Sequence, residues 1–437
     1  MKIQRIFLAA AVSLLLCTAC NPIASTDSAT EPSPPPKDLQ ADRQYTFDLN
    51  SVKENSDMNT DDNINYFIGR APVAPHTACI TDEMYAGATN YAAPDLSRLA
   101  AVMKRAAGGE DITVAVIGGS ITQGSITSSQ DKAYASIMKT WWEENFPESN
   151  ITLINAGIGG TDSYLGVHRC DRQLLDFNPD FVIVEFSVND SATPFYKTSY
   201  DNLVRRILKQ DNMPAVLLLF MTQEDGTSAD TNDALIGFGY GLPMLSYKAA
   251  VLDEIKNGRF AWKDISPDNI HPNDYGHAIC GELIWKYLNE VYKTVPEITT
   301  APAPFEKAPA TRDIYSSATI LDNTLIEPSD NTGFEKGNAD WSVFKNGWSS
   351  ANGGKLSFNV DAANIGILYY QTLISEYTAA DIFVDGIKVK TLVGYDNATW
   401  GNHGVAESVF SSKEKAGHTV EIIVNNGSFD IFGLLVS

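Results

Sequence analysis

Ile112-Thr113-Val114-Ala115-Val116-Ile117-Gly118-Gly119-Ser120-Ile121-Thr122-Gln123-Gly124 is a short apolar run that passes directly into a glycine-rich turn. The run reads as a buried strand, and the turn as a tight strand-to-helix bend that presents a serine. Similar runs recur at 151–155, 181–186 and 215–220. Amphipathic stretches at 133–146, 164–177 and 200–209 separate them, and another at 273–292 closes the series. Strands and helices in alternation predict a doubly wound α/β domain, a mainly parallel sheet covered by helices on both faces.

Outward from this block the sequence changes character twice. Pro302, Pro304 and Pro309, set among alanine and threonine, mark a linker. Beyond it helical periodicity stops, and short alternating runs occupy 355–360, 366–373, 381–384, 405–410, 419–424 and 429–436. Asp385-Gly386 and Asn426-Gly427 sit between such runs, and both dipeptides favour the turns of two-residue hairpins. A C-terminal β-sandwich is expected.

On the other side, Lys2 and Arg5 precede an apolar stretch at 6–16, too short to span a bilayer and suited to a signal-peptide core. It ends in Cys17-Thr18-Ala19-Cys20, which resembles a bacterial lipobox with Cys17 at the usual leucine position. Two outcomes are open: lipid attachment at Cys20 with anchoring to the membrane, or simple cleavage and secretion. The following segment, with Pro32-Ser33-Pro34-Pro35-Pro36, buries too little apolar area to fold and reads as a tether. The expected organisation is a signal peptide at 1–19, an anchor and flexible linker at 20–58, an α/β domain at 59–296, a Pro-rich linker at 297–312 and a β-sandwich at 313–437.

With 437 residues, 44% of them hydrophobic, the chain can bury more than one core, which excludes a wholly disordered protein. Its 32 Lys and Arg against 54 Asp and Glu give a formal charge of −22. Such a surface repels polyanions and argues against nucleic acid as a partner. Beyond the N-terminal pair, Cys79, Cys170 and Cys280 are too few and too far apart for a disulfide framework or a zinc site; buried thiols or at most one bridge are expected. No metal or other cofactor is implied.

Open α/β sheets bind ligands beyond the carboxyl ends of their strands, so the segments following each strand belong together. They are the turn at Ser120, Asn155-Ala156-Gly157-Ile158-Gly159-Gly160-Thr161, Ser187-Val188-Asn189-Asp190 and, before the last helix, Asp268-Asn269-Ile270-His271-Pro272. Together they hold the parts of acyl transfer through a serine. Ser120 is a nucleophile that needs a base; His271 supplies one, and Asp268 three residues earlier can reach its imidazole. Backbone N–H groups of Ser120 and Gly160 and the Asn189 amide are candidate donors to an oxyanion. Asp190 reads as a capping or supporting group. His277 reads as a packing or surface histidine, and His168 and Arg169 as helix-face residues with substrate contact as the alternative.

These four blocks, in this order, resemble the Ser, Gly, Asn and His blocks of the SGNH hydrolases, also called GDSL esterases. The resemblance covers roughly residues 95–292 and implies a three-layer α/β/α, flavodoxin-like fold, with Ser120, Gly160, Asn189 and His271 as the namesake residues and Asp268 completing the triad. Two positions depart from the family pattern. Gly119 replaces the common Asp of Gly-Asp-Ser, and Ser187 replaces the Gly of Gly-x-Asn-Asp.

Export, tether and appended β-domain together resemble bacterial carbohydrate esterases that deacetylate plant polysaccharides. The expected substrate is therefore an O-acetylated polysaccharide or oligosaccharide of xylan or mannan type. Lipase, arylesterase or peptidoglycan O-acetylesterase activity and non-enzymatic glycan capture are the alternatives. In the β-domain, Trp341, Trp348, Tyr395 and Trp400 are aromatic candidates for either core or sugar contact. The loop at 394–403, with Trp400 and His403, is the expected ligand surface.

Overall fold

The computed structural model describes residues 80–437 apart from 338–340 and 342. The expected signal peptide, Cys20, the tether, the start of the 59–296 segment and Cys79 lie outside the described residues.

Five strands, β1 (Ile112–Gly118), β2 (Ile151–Gly157), β3 (Phe181–Glu185), β4 (Ala215–Phe220) and β5 (Met244–Ser246), form one sheet in the order β2-β1-β3-β4-β5. Every pairing in it is parallel. The connecting helices are α1 (Asp82–Ala88), α2 (Ser97–Ala107), α3 (Ser120–Gln123), α4 (Tyr134–Asn145), α5 (Ser163–Gln173), α6 (Pro194–Leu208), α7 (Asp230–Tyr240), α8 (Tyr247–Lys256), α9 (Trp262–Ile265) and α10 (Asp274–Thr294).

The period-two geometry of a strand explains the layering, because successive side chains point to opposite faces. Val114, Val116, Phe181, Ile183, Leu217 and Leu219 enter one core with Leu99, Ile137, Trp141 and Leu283 of α2, α4 and α10. Ala115, Ile117, Val182, Val184, Val216, Leu218 and Phe220 enter the other, with Leu165, Leu203 and Ile236 of α5, α6 and α7. Each larger aliphatic side chain so buried contributes about 2 kcal/mol.

The strand order reverses direction at β1, so β1 and β3 flank the crevice where such sheets bind ligands. Ser120 follows the first of these strands and Asn189 the second.

Two features of this domain differ from the expectation. Helix α6 begins six residues before 200, because Pro194 suits its first turn and the Thr193 hydroxyl accepts from the Tyr196 N–H. Strand β5 and helices α1, α2, α7, α8 and α9 were not anticipated; β5 has only three residues, too few to show a period.

The C-terminal region contains β6 (Thr319–Leu321), β7 (Asp330–Thr332), β8 (Glu335–Gly337), β9 (Gly347–Ser350), β10 (Gly354–Gln371), β11 (Ala379–Val384), β12 (Ile387–Val393), β13 (His403–Val424) and β14 (Phe429–Val436). All their ladders are antiparallel. The runs at 355–360 and 366–373 belong to one strand, β10, and those at 405–410 and 419–424 to another, β13. Irregularities between Ala362 and Asn364 invert the facing of β10, so Leu356, Phe358, Val360 and Ala362 share a core with Ile365, Ile367 and Tyr369. Where a β-sandwich was expected, the strands of the β-domain pair into one continuous antiparallel sheet.

Asp385-Gly386 makes its hairpin between β11 and β12, both residues at positive φ (53° and 77°). Asn426-Gly427 joins β13 to β14, which pair with other strands and not with each other, so the expected second hairpin is absent.

The linker is not a free tether. The Arg98 guanidinium donates to the Ala303 carbonyl, Arg205 donates to that of Lys307, and Phe305 packs edge-on against Tyr240. Leu368, Tyr370, Phe432 and Leu435 of the β-domain share the α5–α6 core. Arg172 of α5 pairs with Asp322 at 2.8 Å across the same seam. Cys170 and Cys280 are buried free thiols.

Candidate active site

The backbone turns from β1 into α3 through Gly118 and Gly119, which leaves Ser120 at the first position of that helix. Its hydroxyl lies 2.8 Å from His271 Nε2, and His271 Nδ1 lies 2.8 Å from Asp268 Oδ2. The second carboxylate oxygen of Asp268 accepts the N–H groups of Ile270 and His271, each at 2.7 Å. One turn therefore places acid and imidazole together, as the three-residue spacing predicts. The turn is fastened from outside: the Trp262 indole donates to the Asp268 carbonyl, and the Ser266 hydroxyl is shared between the carbonyls of Asp268 and His271. Asn273 then caps α10 by accepting from Tyr275 and Gly276.

Burial alone would raise the Asp268 carboxyl. The hydrogen bonds and charge of His271, with the Ile270 N–H, outweigh it and hold Asp268 at about 2. An anionic Asp268 fixes the imidazole with its proton on Nδ1, leaving Nε2 to accept the Ser120 proton.

The other two blocks meet this turn closely. Gln123 of α3 accepts the Gly159 N–H at 2.6 Å, and Asn155 donates to the Thr122 carbonyl at 2.9 Å. Gly160 has φ of +72°, a conformation that disfavours other residues. A Cβ on Gly119 would sit 2.2 Å from Asn189 Oδ1, so the Asn189 amide occupies the space that any side chain at 119 would need. That is the physical meaning of the first departure from the Gly-Asp-Ser pattern. The second has one too: the Ser187 hydroxyl accepts the Met221 N–H at 2.7 Å, tying the Asn189 turn to the end of β4.

Beneath α3 lies a group that no motif flagged. Glu185, fully buried at the end of β3, accepts from Thr122 Oγ1 at 3.1 Å and from Ser187 Oγ at 3.4 Å. It thereby links the serine turn to the asparagine turn. Burial pushes its carboxyl up to about 7. The folded state therefore keeps a proton that the unfolded chain loses above the ordinary carboxylate range, and this contribution to stability is lost as pH rises toward 7. Glu185→Gln should accordingly flatten the fall in melting temperature between about pH 5 and 7. Superimposable profiles for wild type and variant would refute the assignment.

The remaining polar residues are supports. Asp190 accepts the Ser163 N–H at 2.9 Å, at the start of α5, as its supporting reading anticipated. His277 is buried and stacked on Tyr134, with burial pulling it down to about 3. His168 and Arg169 are each only 2% exposed, which removes the substrate-contact alternative for both.

The β-domain reaches this site. Trp400 and His403 stack with ring centroids 4.4 Å apart, and a Cβ on Gly160 would lie 2.7 Å from Trp400 Cζ2 and 3.7 Å from His403 Cδ2. Trp400 is 55% exposed and presents indole surface beside the glycine loop, whereas His403, expected to share the ligand surface, is buried beside it with Nδ1 bonded to the Gly401 carbonyl. Trp341 is buried in the core shared with α5 and α6 and Trp348 in the core of the β-domain, and only Tyr395 and Trp400 of the four aromatic candidates present surface. No motif identified Gln123 or Glu185, because their partners lie in other blocks.

Residues 116–279 match the sequence profile of the GDSL-like Lipase/Acylhydrolase family. Among solved structures, a two-domain esterase active on acetylated mannans, co-crystallized with mannopentaose, is similar at 33% identity and a TM-score of 0.75. The match covers 81% of this chain and 98% of that one. Another structure of a two-domain esterase active on acetylated mannans gives 32% identity and a TM-score of 0.76 over the same shares. No curated protein matches the chain.

Proposed function

The chain belongs to the GDSL-like lipase/acylhydrolase family, the SGNH hydrolases, and from that premise we propose that it removes O-acetyl groups from mannan- or xylan-type polysaccharides and oligosaccharides. It is an ester hydrolase of carbohydrate-esterase type. The observation that carries the substrate proposal is Trp400 stacked on His403 against Gly160: an apolar ring face beside the acyl-transfer groups suits a sugar ring.

In the proposed reaction Ser120 Oγ attacks the acetyl carbonyl while its proton passes to His271 Nε2. The resulting oxyanion accepts hydrogen bonds from the N–H groups of Ser120 and Gly160 and from the Asn189 amide. Collapse breaks the bond to the sugar oxygen, which leaves as a hydroxyl carrying the proton from His271. Water then attacks the acetyl-Ser120 ester with His271 again as base, and acetate departs. Anchoring at the cell envelope through Cys20 belongs to the same proposal, supported by Cys17-Thr18-Ala19-Cys20 alone.

The test is acetate release from acetylated glucomannan, acetylated xylan and long-chain acyl esters by the purified protein, with Trp400→Ala in parallel. Wild type should prefer the polysaccharides. The variant should lose about tenfold in kcat/KM on polymer, with a smaller loss on p-nitrophenyl acetate. Preference for long-chain esters would refute the substrate assignment, and equal small losses would refute the role of Trp400.

A further inference from the structure

Arg169 has no place in the reaction as written, yet it touches all three strand ends that launch the oxyanion donors. It projects from α5 and is almost wholly buried. Its Nη2 donates to the carbonyl of Gly118, the last residue of β1 before Gly119 and Ser120, at 3.0 Å. Its Nη1 donates to the carbonyl of Ala156 in β2, at 2.7 Å, and to Gln173 Oε1 at 2.9 Å. Thr161 Oγ1, next to Gly160, lies 3.4 Å from Nη2. The guanidinium also stands 6.0 Å from the ring centroid of Phe186, whose carbonyl accepts the N–H groups of Asn189 and Asp190.

A buried cation is costly unless compensated. Among the described residues, the hydrogen-bond partners of Arg169 are carbonyl, amide and hydroxyl oxygens, with no carboxylate. Burial pulls it down only to about 10, so it stays charged at neutral pH. Its charge lies against the Gly118 and Ala156 carbonyls, with the Asp162 carboxylate as a nearby opposite charge.

We propose that Arg169 is a positioning residue for the oxyanion site: it clamps the ends of β1 and β2, braces the turn after β3, and fixes the Ser120, Gly160 and Asn189 donors relative to one another. The proposal rests on the serine acyl-transfer reading. A planar fork suits the task because one rigid group spans two carbonyls, whereas an ammonium presents a point charge.

The experiment compares Arg169→Met and Arg169→Lys with wild type, using p-nitrophenyl acetate for kcat and KM. A fluorophosphonate titre counts working sites, and an alkyl boronic acid, which forms a tetrahedral adduct on the serine, serves as a transition-state mimic. Arg169→Met should lose on the order of 100-fold in kcat per titrated site, with KM little changed and boronate affinity falling in parallel. Arg169→Lys should recover part of both losses. If the Met variant does not fold, the Lys variant carries the test, with kcat and boronate affinity lowered together. Wild-type kcat and boronate affinity per titrated site in a folded variant would overturn the proposal. Turnover retained by Ser120→Ala would instead overturn the serine reading on which it rests.

Discussion

Ser120→Ala and His271→Ala should each lower kcat by about 10⁴-fold or more, and the double variant should be scarcely worse than either. The reason is that the two groups act as one device. Ser120 Oγ and His271 Nε2 are already at 2.8 Å, so a hydroxyl without its base is a poor nucleophile, and a base without its hydroxyl has no proton to take. Multiplying losses would show that the two act independently, contrary to the relay. Ser120→Ala should leave the melting temperature nearly unchanged, because the His271 turn stays tied to Ser266 and Asp268 through its own backbone.

Gly119→Asp, which restores the family's common residue, should also cost roughly 100- to 1000-fold in kcat. In most contexts restoring a common residue is benign. Here the new Cβ would fall 2.2 Å from Asn189 Oδ1, so the asparagine must withdraw, and the proposed oxyanion donor leaves with it. KM should change far less, since that donor acts on the anionic intermediate and not on the bound ester. A folded Gly119→Asp variant with near-normal kcat would mean that Asn189 is not a donor in the position assigned.

The parts of the fold and site that were legible in the sequence are those set by local chemistry. The runs ending at Gly118 and Gly157 declare strands that stop in turns, and Asp268 with His271 needs only one turn to meet. The three turns after β1, β2 and β3 share one sheet edge because the sheet is parallel, and the Asp268–His271 turn before α10 meets the first of them at Ser120. What was not legible depends on approach between distant segments. The space at Gly119 is defined by Asn189, the Gly159 N–H is held by Gln123 thirty-six residues earlier, and Gly160 packs under Trp400 of the other domain. Composition also could not separate Trp341 and Trp348, which fill cores, from Trp400, which does not. In the β-domain, Ala362 to Asn364 merged two expected strands into one, since an irregularity that inverts facing looks like a break in a period-two pattern.

The central claim is that Ser120 is the activated nucleophile. Treating the purified protein with a fluorophosphonate and mapping the adduct by peptide mass spectrometry tests it most directly. A single stoichiometric adduct on Ser120, lost in Ser120→Ala and strongly slowed in His271→Ala, is the predicted result. An adduct on another serine, or none on a protein that still releases acetate, would contradict it.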